Sequence, residues 1–171
     1  VLSAAIVVVI LMTPTLLQTL YGFDAATALK ANSLAIVFLS LGCVAAGAIV
    51  DRVGAGRVLL LGGLLLGVTS WTFYSSLKLH PEWLFPLYAL TGLFVGTIGA
   101  VPFVMVNAFP PVVRFSGLSF SYNVAYAIFG GLTPLVVSLL IKADPLGPAY
   151  YVAALCGLAV IIGLYLRGKG R

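Results

Sequence analysis

Long apolar runs separated by short charged punctuation organise this chain. No Asp, Glu, Lys or Arg occurs in 1–23, 31–50, 58–77, 83–113, 115–141 or 145–166. Every run has at least 20 residues, and about 20 apolar residues rising 1.5 Å each cross a bilayer's hydrocarbon core. The two-residue polarity alternation of membrane β-strands is absent. Backbone groups in lipid must then be satisfied within each helix. The pattern predicts an all-α integral membrane fold with six transmembrane helices, at about 1–21, 28–50, 58–77, 84–107, 117–141 and 149–166. The fourth run, 31 residues punctuated by Pro102, Pro110 and Pro111, is too long for one helix. Span four therefore ends near Asn107, and residues 108–116 connect it to span five.

Breakers and small residues refine the spans. Pro14, in Thr13-Pro14-Thr15, removes a backbone donor and predicts a kink. Gly130-Gly131-Leu132-Thr133-Pro134 predicts a break or bend in span five. Gly63 with Gly67, and Gly92 with Gly96 and Ala100, have the spacing that lets helix backbones approach in lipid. Six spans divide as three plus three, and an odd unit repeats upside down, so an inverted repeat is expected. Val1 already lies in an apolar run without an initiator Met, which suggests a piece of something longer.

Composition agrees, with 62% hydrophobic and 8% charged residues and a mean hydropathy of +1.19. Charge then orients the chain. Alternate connections hold Arg52, Arg57, Arg114, Arg167, Lys169 and Arg171 against Asp51, six minus one, or +5. The other set holds Lys30, Lys78 and Lys142 against Asp24, Glu82 and Asp144, or zero. Positive loops stay inside, so the arginine-bearing end is expected in the cytoplasm of a multi-pass inner or plasma membrane protein. This also accounts for the pI of 9.4 without nucleic acid as a partner. Trp71, Tyr74, Trp83, Phe85, Tyr150 and Tyr151 gather at the neutral end, as an interfacial belt. Cys43 and Cys156 fall mid-span and read as small buried hydrophobes.

Two motifs carry chemistry. The first is Gly47-Ala-Ile-Val-Asp51-Arg52-Val-Gly54-Ala-Gly-Arg57, between spans two and three. Gly47 permits close helix approach and Gly54 a tight turn. Asp51 at a helix C-terminus and Arg57 at an N-terminus each oppose the macrodipole, so Asp51 should have a partner, an arginine or a neighbouring helix N-terminus. The second motif is Phe109-Pro110-Pro111-Val-Val-Arg114-Phe-Ser-Gly117, continuing through Tyr122-Asn123 to Pro134. In it Ser119, Tyr122, Asn123, Tyr126 and Gly130 recur at three- and four-residue steps, one polar helix face. Such a face in lipid looks towards protein or a watery cavity; helix-to-helix hydrogen bonding is the competing reading.

The first motif resembles the cytoplasmic signature of the major facilitator superfamily, Gly-x-x-x-Asp-Arg-x-Gly-Arg-Arg. The second resembles the Phe-Pro-x-x-x-Arg-x-x-Gly segment before the eleventh helix. Its Ser-Tyr-Asn and Ile-Phe-Gly-Gly continuation, with Pro148-Ala-Tyr150-Tyr151, is similar to the metabolite:proton symporter branch of osmoprotectant, citrate, α-ketoglutarate and shikimate carriers. The likeness covers essentially the whole chain, as helices seven to twelve, the carboxy-terminal half. Two departures stand out: Ala55 and Gly56 replace the paired basic residues, leaving Arg57 alone, and Asn107 stands where many relatives carry glutamate.

The resemblance implies that spans one and four line a central cavity, two and five face the other half, and three and six form an outer scaffold. It implies substrate contacts at Gln18, Asn123 and Tyr126, then Thr15 and Tyr122, with Tyr88 and Thr91 on span four's cavity face; for each, packing is the competing reading. It implies a cytoplasmic gate of Gly47, Asp51, Arg52, Gly54, Arg57 and Arg114. Amides give and accept hydrogen bonds, and Tyr rings hold quaternary ammonium groups. The function so implied is half of a secondary active transporter, by proton-coupled symport of a zwitterionic osmolyte or carboxylate. Its partners are the lipid bilayer, the small organic solute, protons and the missing amino-terminal six-helix half. No ionisable side chain lies mid-span, so coupling groups belong to that other half. The alternative is a self-assembling half or scaffold, in which two copies form a homodimer about a two-fold axis.

An enzyme is disfavoured. His80, the one histidine, lies at the neutral end, and Ser116 lies at the other, so no Ser–His pair can form. No metal-ligand cluster and no cofactor motif is visible.

Overall fold

A computed structural model describes residues 2–169, of which only the backbone is described at Lys169. Arg171 and the Lys169 side chain, both in the expected basic tail, lie outside the described residues. Six helices are long and apolar enough to cross a membrane: Leu2–Thr19, Ala25–Val53, Ala55–Ser76, Pro81–Ala108, Arg114–Ala143 and Gly147–Gly168, spans one to six below. Among the described residues there is no strand.

Local chemistry sets the span ends. Asp24 caps span two by accepting the Thr27 backbone N–H at 3.0 Å. The Thr27 hydroxyl and that N–H hold the Asp24 carboxyl below the usual carboxylate range. Spans two and three are joined by Gly54 alone, whose φ of 84° lies where a side chain would be strained. Phe109 is extended and Pro110 follows it, which stops span four.

Helices approach where side chains vanish. Spans two and four cross so closely that a Cβ on Gly96 would meet the Gly42 backbone at 2.5 Å, and one on Gly92 would strike the Ala35 carbonyl. Spans three and six cross at Gly56 and Gly163, where a Cβ on Gly56 would lie 2.7 Å from the Arg167 nitrogen. Gly63 and Gly67 also face Cys156, as their spacing suggested. Gly47 departs from expectation: nothing lies within 4 Å of where its Cβ would be, because that side of span two is open.

Burial is uneven. Over its most apolar 18 residues span one is 56% buried and span three 50%, against 22% for span two and 11% for span five. The core runs among spans one to four, around Phe73, Tyr74 and Tyr88, and continues into span six through Val152, Leu155, Cys156 and Ala159. Phe73 stacks on Tyr88 with centroids 4.9 Å apart. Tyr74, expected in the interfacial belt, belongs to this core, whereas Trp71 and Tyr150 pack edge to face on the exterior. Cys156 is buried, Cys43 half-buried, and both are free thiols.

Neither proline breaks its helix. Span one widens into a π-helical turn at Val7–Met12, just ahead of Pro14. Span five does the same at Tyr126–Gly130, ahead of Pro134, and continues to Ala143. A π turn spreads one extra residue over a helical turn and makes room for the proline ring.

Candidate functional site

The expected substrate residues fall on open surfaces of two neighbouring spans. Thr15 and Gln18 lie on the exposed side of span one, with Leu11 and Thr19. The Gln18 side-chain N–H donates to the Pro14 carbonyl at 3.0 Å, leaving its amide oxygen available. On span five Asn123 donates to the Ser119 carbonyl at 2.8 Å, likewise leaving an acceptor. The Tyr122 and Tyr126 rings sit 5.3 Å apart on successive turns, tilted by 34°. Tyr122 also closes an apolar cavity of about 200 Å³ walled by Leu59, Val104 and Met105, so part of its ring is packing. Spans one and five touch where the first turns of span one meet the π turn of span five. Tyr122 and Tyr126 therefore lie level with the start of span one, whereas Thr15 and Gln18 lie several turns further along it, and no hydrogen bond joins the two sets. The span-one set offers an amide acceptor and a hydroxyl, and the span-five set an amide acceptor, two phenol hydroxyls and a pair of aromatic faces.

Tyr88 and Thr91 correct the expectation for span four. Both are fully buried inside the bundle and line no open surface. Tyr88 has a different task, set by the π turn. The Thr13 N–H bonds back five residues to the Val8 carbonyl, and Pro14 has no N–H. The Val9 carbonyl is thereby left without a helical donor. The Tyr88 hydroxyl supplies one, at 2.6 Å. The same hydroxyl lies 2.5 Å from the Asn32 Oδ1, a second acceptor. One hydroxyl hydrogen serves one acceptor fully; with it on Val9, flipping the Asn32 amide would bring an N–H to the Tyr88 oxygen. The Thr13 hydroxyl donates to the Val8 carbonyl at 2.9 Å and pairs with the Tyr74 hydroxyl at 2.7 Å. Spans one to four thus clamp the bulge that sets the rotation of Thr15 and Gln18. A parallel pair holds span five: the Thr133 hydroxyl donates to the Phe129 carbonyl and meets the Tyr151 hydroxyl of span six at 2.8 Å. Sequence reasoning missed Asn32, Tyr74 and Tyr151 as partners. Two Thr-Pro steps accompanied by mid-span hydroxyl and amide groups were the available signal.

The gate residues are not drawn into one network. Asp51, Arg52 and Arg57 are exposed and form no ion pair among the described residues, so the partner expected for Asp51 is not within this chain's described part. Arg114 turns back on its own connection, its Nε donating to the Phe109 carbonyl at 3.3 Å. The Phe109 ring lies over Gly117, where a Cβ would come within 2.7 Å of it. Phe109, Arg114 and Gly117 therefore form a clasp that fixes the turn between spans four and five. At the opposite end His80 meets the Glu82 carboxylate at 3.0 Å and stacks on Trp83.

Comparison with known proteins adds the identity of the scaffold. The chain is 33% identical over 162 residues to a citrate-proton symporter of Salmonella typhi, covering 91% of this chain and 37% of that protein. It is 36% identical over 128 residues to a citrate-proton symporter of Klebsiella pneumoniae, covering 71% of this chain and 29% of that protein. It is also 30% identical over 166 residues to a Staphylococcus aureus (strain COL) protein assigned as a proline/betaine transporter, covering 92% of this chain and 35% of that one. The chain thus spans about a third of the length of these relatives. No family model matches it, and no solved structure matches it significantly. With six membrane-length helices and this likeness, the chain is a multi-pass membrane protein that belongs to the major facilitator superfamily of transporters and corresponds to a carboxy-terminal half.

Proposed function

We propose that the chain is one half of a secondary active transporter that moves a small zwitterionic osmolyte or carboxylate, with protons, by alternating access. The observation that carries this reading is the likeness over about nine tenths of the chain to relatives named as citrate-proton symporters and proline/betaine transporters. The open, barely buried side of spans two and five supports it, since a second six-helix half would cover that side. Gln18, Asn123 and Tyr126, then Thr15 and Tyr122, contact the solute at successive levels of its path through amide oxygens, hydroxyls and ring faces. Gly47, Asp51, Arg52, Gly54, Arg57 and Arg114 form the gate at the arginine-bearing end, which lies in the cytoplasm beneath an inner or plasma membrane. The Asp51 partner comes from the other half and is engaged in one access state only.

The test is uptake by the complete protein in liposomes under an inward proton gradient. Labelled proline, betaine or citrate should accumulate, and a protonophore should abolish the accumulation. Uptake of none of the three, by protein that is folded and inserted, would refute the substrate class. Where the chain is produced by itself, a second copy covers the open side about a two-fold axis. A strictly monomeric mass in mild detergent contradicts that pairing.

A further inference from the structure

A cavity of about 860 Å³ opens at the arginine-bearing end, away from the solute-facing residues. Its lining includes Gly54, Arg57, Phe103, Asn107, Leu166 and Arg167. Arg57 stands in the first turn of span three and Arg167 near the end of span six, 110 positions apart in the sequence. They are neighbours because the two helices touch backbone to backbone at Gly56 and Gly163. That crossing is rigid, since a Cβ on either glycine would meet main-chain atoms within 2.8 Å. Two like charges are therefore held beside one space, and neither has an ion-pair partner among the described residues. Asn107, the one polar group across from them, is a neutral amide bonded to the Phe103 carbonyl. Span three also begins without a side-chain cap, so its first N–H groups add to the same positive field. A cation in that turn opposes the helix dipole, and an anion in the cavity would reverse the penalty.

We propose that this cavity binds a phosphate group, gripped by Arg57 and Arg167 and by the opening turn of span three. Guanidinium forks match phosphate oxygens in pairs. Phe103, Val104 and Leu166 provide an apolar wall beside the charges, suited to the glycerol and upper acyl chain of a phospholipid. The site does not depend on the transport reading.

The test is the thermal unfolding midpoint of the complete protein in neutral detergent, with phosphatidylglycerol, phosphatidylcholine or inorganic phosphate added. Phosphatidylglycerol should raise the midpoint more than phosphatidylcholine. Arg57→Gln with Arg167→Gln should weaken the response about tenfold, or about 1.4 kcal/mol. Asn107→Glu, which supplies an internal carboxylate without removing either arginine, should abolish it and guards against a double variant that fails to fold. Arg52→Gln, on the same end but not in the cavity lining, should retain it. An equal response to inorganic phosphate identifies the source as a soluble phosphate, and a response to the lipid alone identifies a headgroup. Three results would overturn the proposal: no response to either phosphate source beyond that to phosphatidylcholine, a response that survives Asn107→Glu, or one lost equally in Arg52→Gln.

Discussion

Removing the hydroxyl of Tyr88 tests the account of span one most sharply. Tyr88→Phe keeps the ring stacked on Phe73 and deletes the donor that lies 2.6 Å from the Val9 carbonyl. No backbone donor can replace it, because the Thr13 N–H is committed to Val8 and position 14 is proline. A buried acceptor left unpaired costs about 1–3 kcal/mol. Hydrogen-bond deletions in membrane proteins average about 0.6 and reach about 1.7 kcal/mol. A carbonyl with no alternative partner belongs at the upper end of that range, at about 1.5 kcal/mol. Tyr74→Phe should cost only about 0.6 kcal/mol, since the Thr13 hydroxyl still serves the Val8 carbonyl. Reversible unfolding of the complete protein by SDS in mixed micelles measures both. Pro14→Ala restores an N–H at that position, so Tyr88→Phe should cost less on that background, a coupling readable from a double-mutant cycle. Equal costs for the two tyrosines, with no coupling to Pro14, would refute the assignment of Tyr88 as donor to the bulge.

Other outcomes follow from the same geometry. Asp51→Asn should abolish uptake by the complete transporter while leaving membrane expression intact, and normal uptake would remove Asp51 from the mechanism. Gln18→Ala and Asn123→Ala should each raise the solute KM about tenfold, the effect of losing about 1.4 kcal/mol, whereas unchanged KM values would assign both amides to packing. Gly163→Leu should block assembly of the spans three and six crossing, seen as loss of folded protein in detergent, because the new side chain meets the Gly56 carbonyl. Acid should fray the start of span two. The Asp24 carboxylate is held below its ordinary range by Thr27, so its cap is intact above that range and is lost as pH falls through the depressed folded value. Exchange of the Thr27 amide should rise there, and Asp24→Asn, which still caps, should flatten the profile.

Six spans were legible because lipid tolerates so few charges that thirteen of them mark every boundary. Gly63 and Gly67 were legible by spacing alone. Gly56 and Gly163 were not, since Gly56 reads as part of the turn motif and Gly163 as a lone glycine until spans three and six are known to cross. Pro14 announced a disturbance, but a kink and a π turn differ in where the freed carbonyl finds a donor. That donor, Tyr88, lies 79 residues from Val9. Tyr74 reads as a belt residue by its position near the end of span three, and it packs instead beside Phe73 in the core with its hydroxyl paired to Thr13. Asp51 looked as though it needed a partner, and the chain's described residues supply none. The sets at Thr15 with Gln18 and at Tyr122 with Asn123 could be placed on faces from periodicity. Their depth and rotation depend on two π turns that no periodicity rule anticipates.

The central claim is that the exposed polar surface of spans one and five meets a watery solute path and not lipid. In the complete transporter, with Cys43 and Cys156 replaced by alanine, Asn123→Cys should react with a membrane-impermeant maleimide, and transported solute should slow the reaction. Leu61→Cys, on the exposed side of span three, should stay unreactive in lipid. An unreactive position 123 beside a reactive position 61 would contradict the account.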